Sequence, residues 1–429
     1  MPKQRNVILF GAGAVIDWQA PFTYQLTDLV RKSGFLTTDN STTITEFLYN
    51  KLKDENNYSD IDINFETIIN VIEELIVYYS SFNARQKSSS IPNAIFTSKF
   101  ECELLNFSIE GGEAKHGFKL EIPKGKHSEF AKSAFNDETP EQFFFQQLLA
   151  EILTSIIASI SKYAYHTKGN SKVIIEDNKE MNQLFAKWIK QINGNDILRM
   201  YSLNYDRNFK IILEKFDENI SIFEGFDCNN TLEYGSNLKA NIRRILDDTE
   251  CNVHYNLHGS AFWRVEARDE SQLPNPSFYL TEAPVLTVNS YEYPIWQSEK
   301  GKTIMLTNII TGYQKTQKGI FPPFKQMQAA FDRDCCFADN IYIIGYSFND
   351  EHINASIINA VKYCKDVKII IINPSFIKKD FHLNIMMKIF SCAGDLDKMK
   401  PTKIKNNLHS FYDGKFIVHI KSFKEFLTS

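Results

Sequence analysis

A chain of 429 residues, 43% hydrophobic and 23% charged, has material for a large buried core, which excludes a disordered or low-complexity protein. Its formal net charge of −4 gives no electrostatic reason to expect nucleic acid or an anionic membrane as a bulk partner, and the locally basic last ~35 residues read as a solvated surface segment. Seven cysteines, scattered without two spaced pairs, fit reduced thiols in a cytoplasmic protein and argue against a disulfide framework or a metal site.

Val7 to Phe10 is a short β-branched run that enters Gly11-Ala12-Gly13, the pattern of a buried parallel strand meeting a tight turn. A helix follows through YQLTDLVRKSGF and ends at Gly34. From about Thr42 to Ile192 the period turns helical. Phe65, Ile68, Ile69, Ile72 and Leu75 or Ile76 make one stripe, and Phe144, Leu148, Ile152, Ile156 and Ile160 make another; both read as core. The second run is broken by Gln146, Gln147 and Glu151. It therefore predicts a buried helix and no membrane span, which needs ~18 or more apolar residues. Between the stripes, QKSSSIPNA and SIEGGEAKHGFKLEIPKGKH predict loop or hairpin. Strand character returns in ILRMYSLNYD, NVHYNLHGS, NIYIIGYSF and VKIIIINPS, each an apolar run that ends in a small or polar cluster. Ile353, Ile357 and Val361 predict a helix after GYSFND, with Asp350 and Glu351 in its first turn, where the macrodipole favours acids. The expected fold is α/β: a doubly wound, Rossmann-like parallel sheet from residues 1–41 and 193–385, a large helical insertion over 42–192, and a basic C-terminal tail over 386–429.

The chemistry gathers at the strand ends. Gly11 and Gly13 let backbone amides approach a pyrophosphate, and the following helix N-terminus adds partial positive charge. Ile16 stands where a dinucleotide fingerprint has its third glycine, so a plain tight turn fits as well. In an extended segment Asn204 and Asp206 face the same side, although Asn-x-Asp is also turn-forming. His258 precedes Gly259, which leaves room for a ligand. His254, four residues earlier, faces the same side of a regular strand, and spacing does not choose between the two. Gly345 permits close approach, Ser347 offers a hydroxyl, and Asn373 offers an amide to a ribose. Polar clusters at several strand ends of one sheet surround a single crevice.

GAG at 11–13, SLNYD at 202–206, HG at 258–259, GYS at 345–347 and IIIN at 370–373 occur in the order of the sirtuin fingerprint. The strings GAGAVIDWQAPFTYQLT and IIGYSFNDEHIN resemble the SIR2-like NAD⁺ hydrolases of bacterial anti-phage defence, over about residues 1–35 and 195–375. The resemblance implies a sirtuin-like fold, NAD⁺ as substrate, cleavage of the nicotinamide–ribose bond and no metal. It implies that Gly11, Ala12 and Gly13 hold the pyrophosphate and that Asp17 and Trp18 lie near the nicotinamide ribose, with Pro21 as the family's loop proline. Asn204 and His258 match the catalytic amide and imidazole, Asp206 matches the carboxylate beside the nicotinamide, and Gly345, Ser347 and Asn373 line the adenosine half. Leu203, Val15 and Gln19 replace the sirtuin glutamine, serine and glycine, and the paired CxxC zinc module is absent. These departures count against protein deacylation and favour NAD⁺ cleavage, by hydrolysis or by cyclisation to cyclic ADP-ribose, with a non-catalytic sensor of NAD⁺ or a derivative and an acyl-peptide-dependent protein deacylase as the two rivals. An NAD⁺ hydrolase must be gated, and the 56 residues after Asn373 are few for a sensing domain of the usual ~100–150 residues. A separate chain is therefore expected as sensor, which in such systems is a HerA-type ATPase, a short Argonaute or a nucleotide-metabolising protein. The insertion, with no chemistry of its own, is the expected surface for this partner or for an oligomer.

Overall fold

Each apolar run that ends in a polar cluster forms a strand. This is seen in the computed structural model of the chain, which describes all residues except 1–4, 38–40, 57–62, 79–108, 111–112, 115–139, 194–196, 218–219, 228–237, 267–275, 286–294, 300–301, 306, 313–314, 365, 395 and 406. The main sheet contains β1 (Arg5–Phe10), β2 (Ile197–Ser202), β3 (Ile222–Phe223), β4 (Asn252–Asn256), β5 (Asn340–Ile344), β6 (Lys368–Ile372), β7 (Thr402–Lys405), β8 (Leu408–Phe411) and β9 (Phe416–His419). Their order is β7-β8-β9-β6-β5-β1-β2-β4-β3. The strands from β9 to β3 are parallel, and at one edge β8 runs antiparallel to both β9 and β7. Val7, Ile8, Leu9 and Phe10 are wholly buried, as a non-alternating strand covered on both faces must be. From β1 the chain builds out through β2, β3 and β4 before it crosses to β5. The connections therefore reverse direction between β1 and β5, and open α/β sheets form their ligand crevice at such a point, outside the carboxyl ends of the strands.

Among the described residues the helices longer than one turn are α1 (Thr23–Arg31), α2 (Ile44–Asn56), α3 (Phe65–Tyr78), α4 (Pro140–Ala164), α5 (Lys179–Asn193), α6 (Asn208–Phe216), α7 (Ile242–Asp247), α8 (Phe324–Cys336), α9 (Glu351–Tyr363), α10 (Lys379–Lys388) and α11 (Phe423–Leu427), and Lys315–Lys318 forms a single turn. Helices α1 to α4 pack on one another, and the expected stripes, Ile68, Ile69, Ile72 and Leu75 on α3 with Leu148, Ile152 and Ile156 on α4, are fully buried. Helix α5 instead packs on the sheet, where Phe185 meets Phe10, Phe209 and Phe423, and Trp188 meets Tyr342. A smaller antiparallel sheet joins Phe226–Asp227, Leu238–Ala240, Trp263–Glu266 and Ser277–Leu280. Within the segment predicted as loop or hairpin, Ile109–Glu110 pairs with Glu113–Ala114. QKSSSIPNA and residues 115–127 lie outside the described residues. Among the described residues no helix is long and apolar enough to cross a membrane.

The C-terminal segment departs from the expectation of a solvated tail. It extends the main sheet with β7, β8 and β9, and α11 sets Phe423, 3% exposed, against the rings of Phe10 and Trp18. The lysines that give the segment its basic average are interleaved with a period-two pattern: Phe416 and Val418 are fully buried while Ile417 and His419 are half-buried. Alternation decides that a strand forms, and net charge does not oppose it.

Candidate functional site

A cleft of about 960 Å³ opens where the strands end. The loop after β1 contributes Ala12, Gly13, Asp17 and Pro21, and the loop after β2 contributes Leu203, Asn204 and Tyr205. His258 comes from the turn after β4, Gly345, Tyr346 and Ser347 from the loop after β5, and Asn373 from the end of β6. Of the residues that the resemblance matches to an NAD⁺ site, Gly11, Trp18 and Asp206 do not line it.

The glycine corner has a reason other than room for a phosphate. The Gly11 amide donates to Ile344 O at 2.8 Å and the Gly13 amide to Gly345 O at 2.9 Å. A Cβ on Gly11 would lie 2.6 Å from Gly345 O, and one on Gly13 2.8 Å from Gly345 Cα. Gly345 has φ +61, and a Cβ there would overlap Ala14 N and Gly13 C. The loops after β1 and β5 thus pack backbone against backbone, which only glycine permits, and both glycine amides expected to meet a pyrophosphate are engaged by protein carbonyls. The helix N-terminus is also displaced. Two short 3-10 turns, Ala12–Ala14 and Ile16–Trp18, follow the glycines, and α1 begins only at Thr23.

Within that loop, Asp17 Oδ2 accepts the Lys424 amide at 3.0 Å and so ties the cleft to the start of α11. Trp18 is a core residue. It is 1% exposed, and its Nε1 donates to Asn182 Oδ1 at 2.7 Å within a cluster of Phe185, Phe209 and Phe423. Asn373 lines the cleft, yet its Nδ2 donates to Tyr346 O and its Oδ1 accepts from Ser375 N, both at 2.9 Å, so it braces two of the cleft loops.

Asn204 and Asp206 part company. β2 ends at Ser202 and residues 203–205 bend, so the shared face expected of an extended segment does not form. Asn204 Nδ2 donates to Gly11 O at 3.1 Å, which leaves Oδ1 to meet a ligand. Asp206 is 1% exposed; its Oδ1 accepts the Asn208 amide at 3.0 Å and caps α6, and its Oδ2 accepts the Tyr163 hydroxyl at 3.1 Å. Burial pushes the Asp206 carboxyl up to about 6 against the opposing pull of those two donors. Asn256, at the end of β4, holds the whole segment: its Nδ2 donates at 2.8 Å to both Asn204 O and Asp206 O.

Tertiary packing also separates the two histidines. His254 lies within β4, fully buried and outside the cleft, whereas His258 lines it. The space beside Gly259 is filled: with φ +81, a Cβ there would overlap Asn308 O, and Ile310 N donates to His258 O at 2.8 Å. Gly259 thus admits the 307–310 loop rather than a ligand, and that loop fixes the backbone of His258.

A charged cluster absent from the sequence reading flanks His258. Its Nε2 lies 3.3 Å from Nε2 of His352, in the first turn of α9. Lys315 Nζ lies 2.7 Å from Glu66 Oε1 and 2.7 Å from Asp350 Oδ1. Burial, with the Lys315 ammonium second, depresses His258 to about 3, and burial also lowers His352. Both imidazoles are therefore neutral at pH 7. Against burial, the two carboxylates hold Lys315 above the usual lysine value. Burial raises Glu66, while the adjacent cation keeps Asp350 below the ordinary range despite its burial. With His258 neutral, that cation is Lys315. Fully ionised, Glu66, Lys315 and Asp350 carry one surplus negative charge beside the imidazole pair.

Glu66 and its neighbour Asn64, with Ile160 and Tyr163 of α4, bring the insertion, expected to hold no chemistry of its own, into the cleft wall. The sequence signals for these residues were faint. Glu66 sits beside the apolar stripe of α3, His352 follows the acids of GYSFNDEH, and Asn256 stands two residues before His258. Among the described residues no group of three or more His, Cys, Asp or Glu is placed to hold a metal ion. No protein-family model matches this chain, and no curated protein does.

Proposed function

We propose that the chain cleaves the nicotinamide–ribose bond of NAD⁺ to give nicotinamide and ADP-ribose. The observation that carries this reading is that Asn204 and His258, from the ends of adjacent parallel strands, line one cleft at the topological switch point. The bond breaks through an oxocarbenium-like transition state: a neutral pyridine departs and positive charge develops on the ribose. No leaving-group acid is needed. Asn204 Oδ1, oriented because Nδ2 is tied to Gly11 O, accepts from a ribose hydroxyl or the attacking water. Neutral His258 takes a proton, a role that typically contributes ~10²–10⁴-fold. The Asp350 carboxylate, kept below the ordinary range beside Lys315, places a negative charge in the cleft wall, which favours the positive charge that moves from the pyridinium onto the ribose.

The SIR2-like resemblance supports NAD⁺ depletion in anti-phage defence as the setting, with a separate partner chain as the gate and the cytoplasm as the compartment. The test is chromatography of NAD⁺ incubated with the chain, alone and with the products of neighbouring genes. Nicotinamide release that is lost in Asn204→Ala and in His258→Ala, with both variants folded, is the expected result. Intact NAD⁺ under every condition refutes hydrolysis and leaves a binding-only sensor.

A further inference from the structure

Hydrolysis of a pyridinium N-glycoside releases a proton. The water oxygen bonds to C1′ as the C1′–N bond breaks, and that bond's electron pair stays on the pyridine nitrogen. One water proton remains on the new anomeric hydroxyl, and the other must leave. His258 is a poor place to leave it, being 2% exposed with its Nε2 turned to His352 Nε2 at 3.3 Å. At that distance two neutral rings can hydrogen-bond with one Nε2–H donating and the other Nε2 accepting. His352 is half-buried, nearer to solvent than His258, and it lines the same cleft.

We propose that His258 and His352 form a two-imidazole proton relay that carries the proton of NAD⁺ hydrolysis from the cleft to solvent, an inference that rests on the hydrolase reading above. In the resting pair His258 donates Nε2–H to His352 Nε2, and His258 Nδ1 carries a lone pair. Nδ1 takes the water proton, the Nε2 proton passes to His352 Nε2, and His352 releases its Nδ1 proton to water. The rings then return to their starting tautomers by exchange with solvent between turnovers.

The surroundings suit a carrier that holds a proton only briefly. Lys315 and the positive end of α9 oppose a resident charge on His352, while the Asp350 carboxylate stabilises it in passing. The geometry also suits an imidazole at position 352: the neutral ring accepts at Nε2 and donates from Nδ1, whereas an ionised carboxylate only accepts and a primary amide is too weak a base to take the proton.

The test compares His352→Ala and His352→Gln with wild type and with His258→Ala, by nicotinamide release from NAD⁺. The relay predicts that His352→Ala lowers kcat about 10²-fold with KM nearly unchanged, that added imidazole restores rate in a saturable way, and that His352→Gln, which keeps a hydrogen-bonding group near His258, remains slow. Full activity in His352→Gln means that His352 only positions His258 and overturns the relay, as does a wild-type rate in His352→Ala. An active wild type with inactive His258→Ala keeps the hydrolase reading in either event. A wild type inert alone and with its neighbours overturns both.

Discussion

Asp206→Asn isolates the energetic consequence of burying a carboxylate beneath the cleft loop. The Asp206 carboxyl titrates at about 6 in the folded chain against 3.8 when unburied. The folded state therefore holds this proton more tightly than the unfolded chain, and folding takes up a proton between these values. Stability from this group is complete below 3.8 and falls as pH rises through 6. Integrated over the titration, the cost is about 1 kcal/mol at pH 4.5 and about 3 kcal/mol at pH 7.5. Asparagine has the same shape and no charge, can accept the Asn208 amide through Oδ1, and offers an N–H to the Tyr163 oxygen. The variant should therefore gain about 2 kcal/mol on wild type between the two pH values. Other shifted carboxylates, Glu66 and Glu73 upward and Glu224 downward, cancel in the difference. Urea unfolding followed by tryptophan fluorescence at both pH values gives the comparison directly. A variant that is destabilised equally at pH 4.5 and pH 7.5 would show that Asp206 is ionised at no cost, and the burial argument would be wrong.

Gly345→Ala combines a left-handed backbone with overlap onto Gly13 and Ala14. It should cost about 2–5 kcal/mol, and an unchanged melting temperature would refute the backbone-to-backbone packing of the two loops. Asn256→Ala removes the donor that fixes both Asn204 O and Asp206 O. It should destabilise by about 1–3 kcal/mol and lower kcat for nicotinamide release more than it raises KM; an effect confined to KM would count against a positioning role. Lys318→Met leaves Glu73 buried without its cation, at about 3–5 kcal/mol. The double variant with Glu73→Leu should recover most of that loss in thermal melts, and additive losses would show that the pair is not coupled.

The sheet was legible because its strands announce themselves locally. β1, β2, β4, β5 and β6 are short apolar runs that end in polar residues, and the α3 and α4 stripes keep a helical period over several turns. The strand-end positions of Asn204, His258, Ser347 and Asn373 were legible for the same reason, since a parallel sheet delivers the residues after its strands to one edge. The C-terminal strands were hidden by an average: the lysines set the composition of the segment, while the alternation of Phe416 and Val418 decided its structure.

What the sequence alone determined is the set of elements and the edge of the sheet at which polar groups collect, because periodicity and strand direction are properties of neighbouring residues. Tertiary structure decided which of those groups line the cleft. It buried Trp18 and Asp206, chose His258 over His254, spent the Gly11 and Gly13 amides on the β5 loop, and brought Glu66 from the insertion against Lys315 and Asp350. Exposure, charge state and hydrogen-bond partners depend on residues hundreds of positions away in the chain, and only packing brings them within reach.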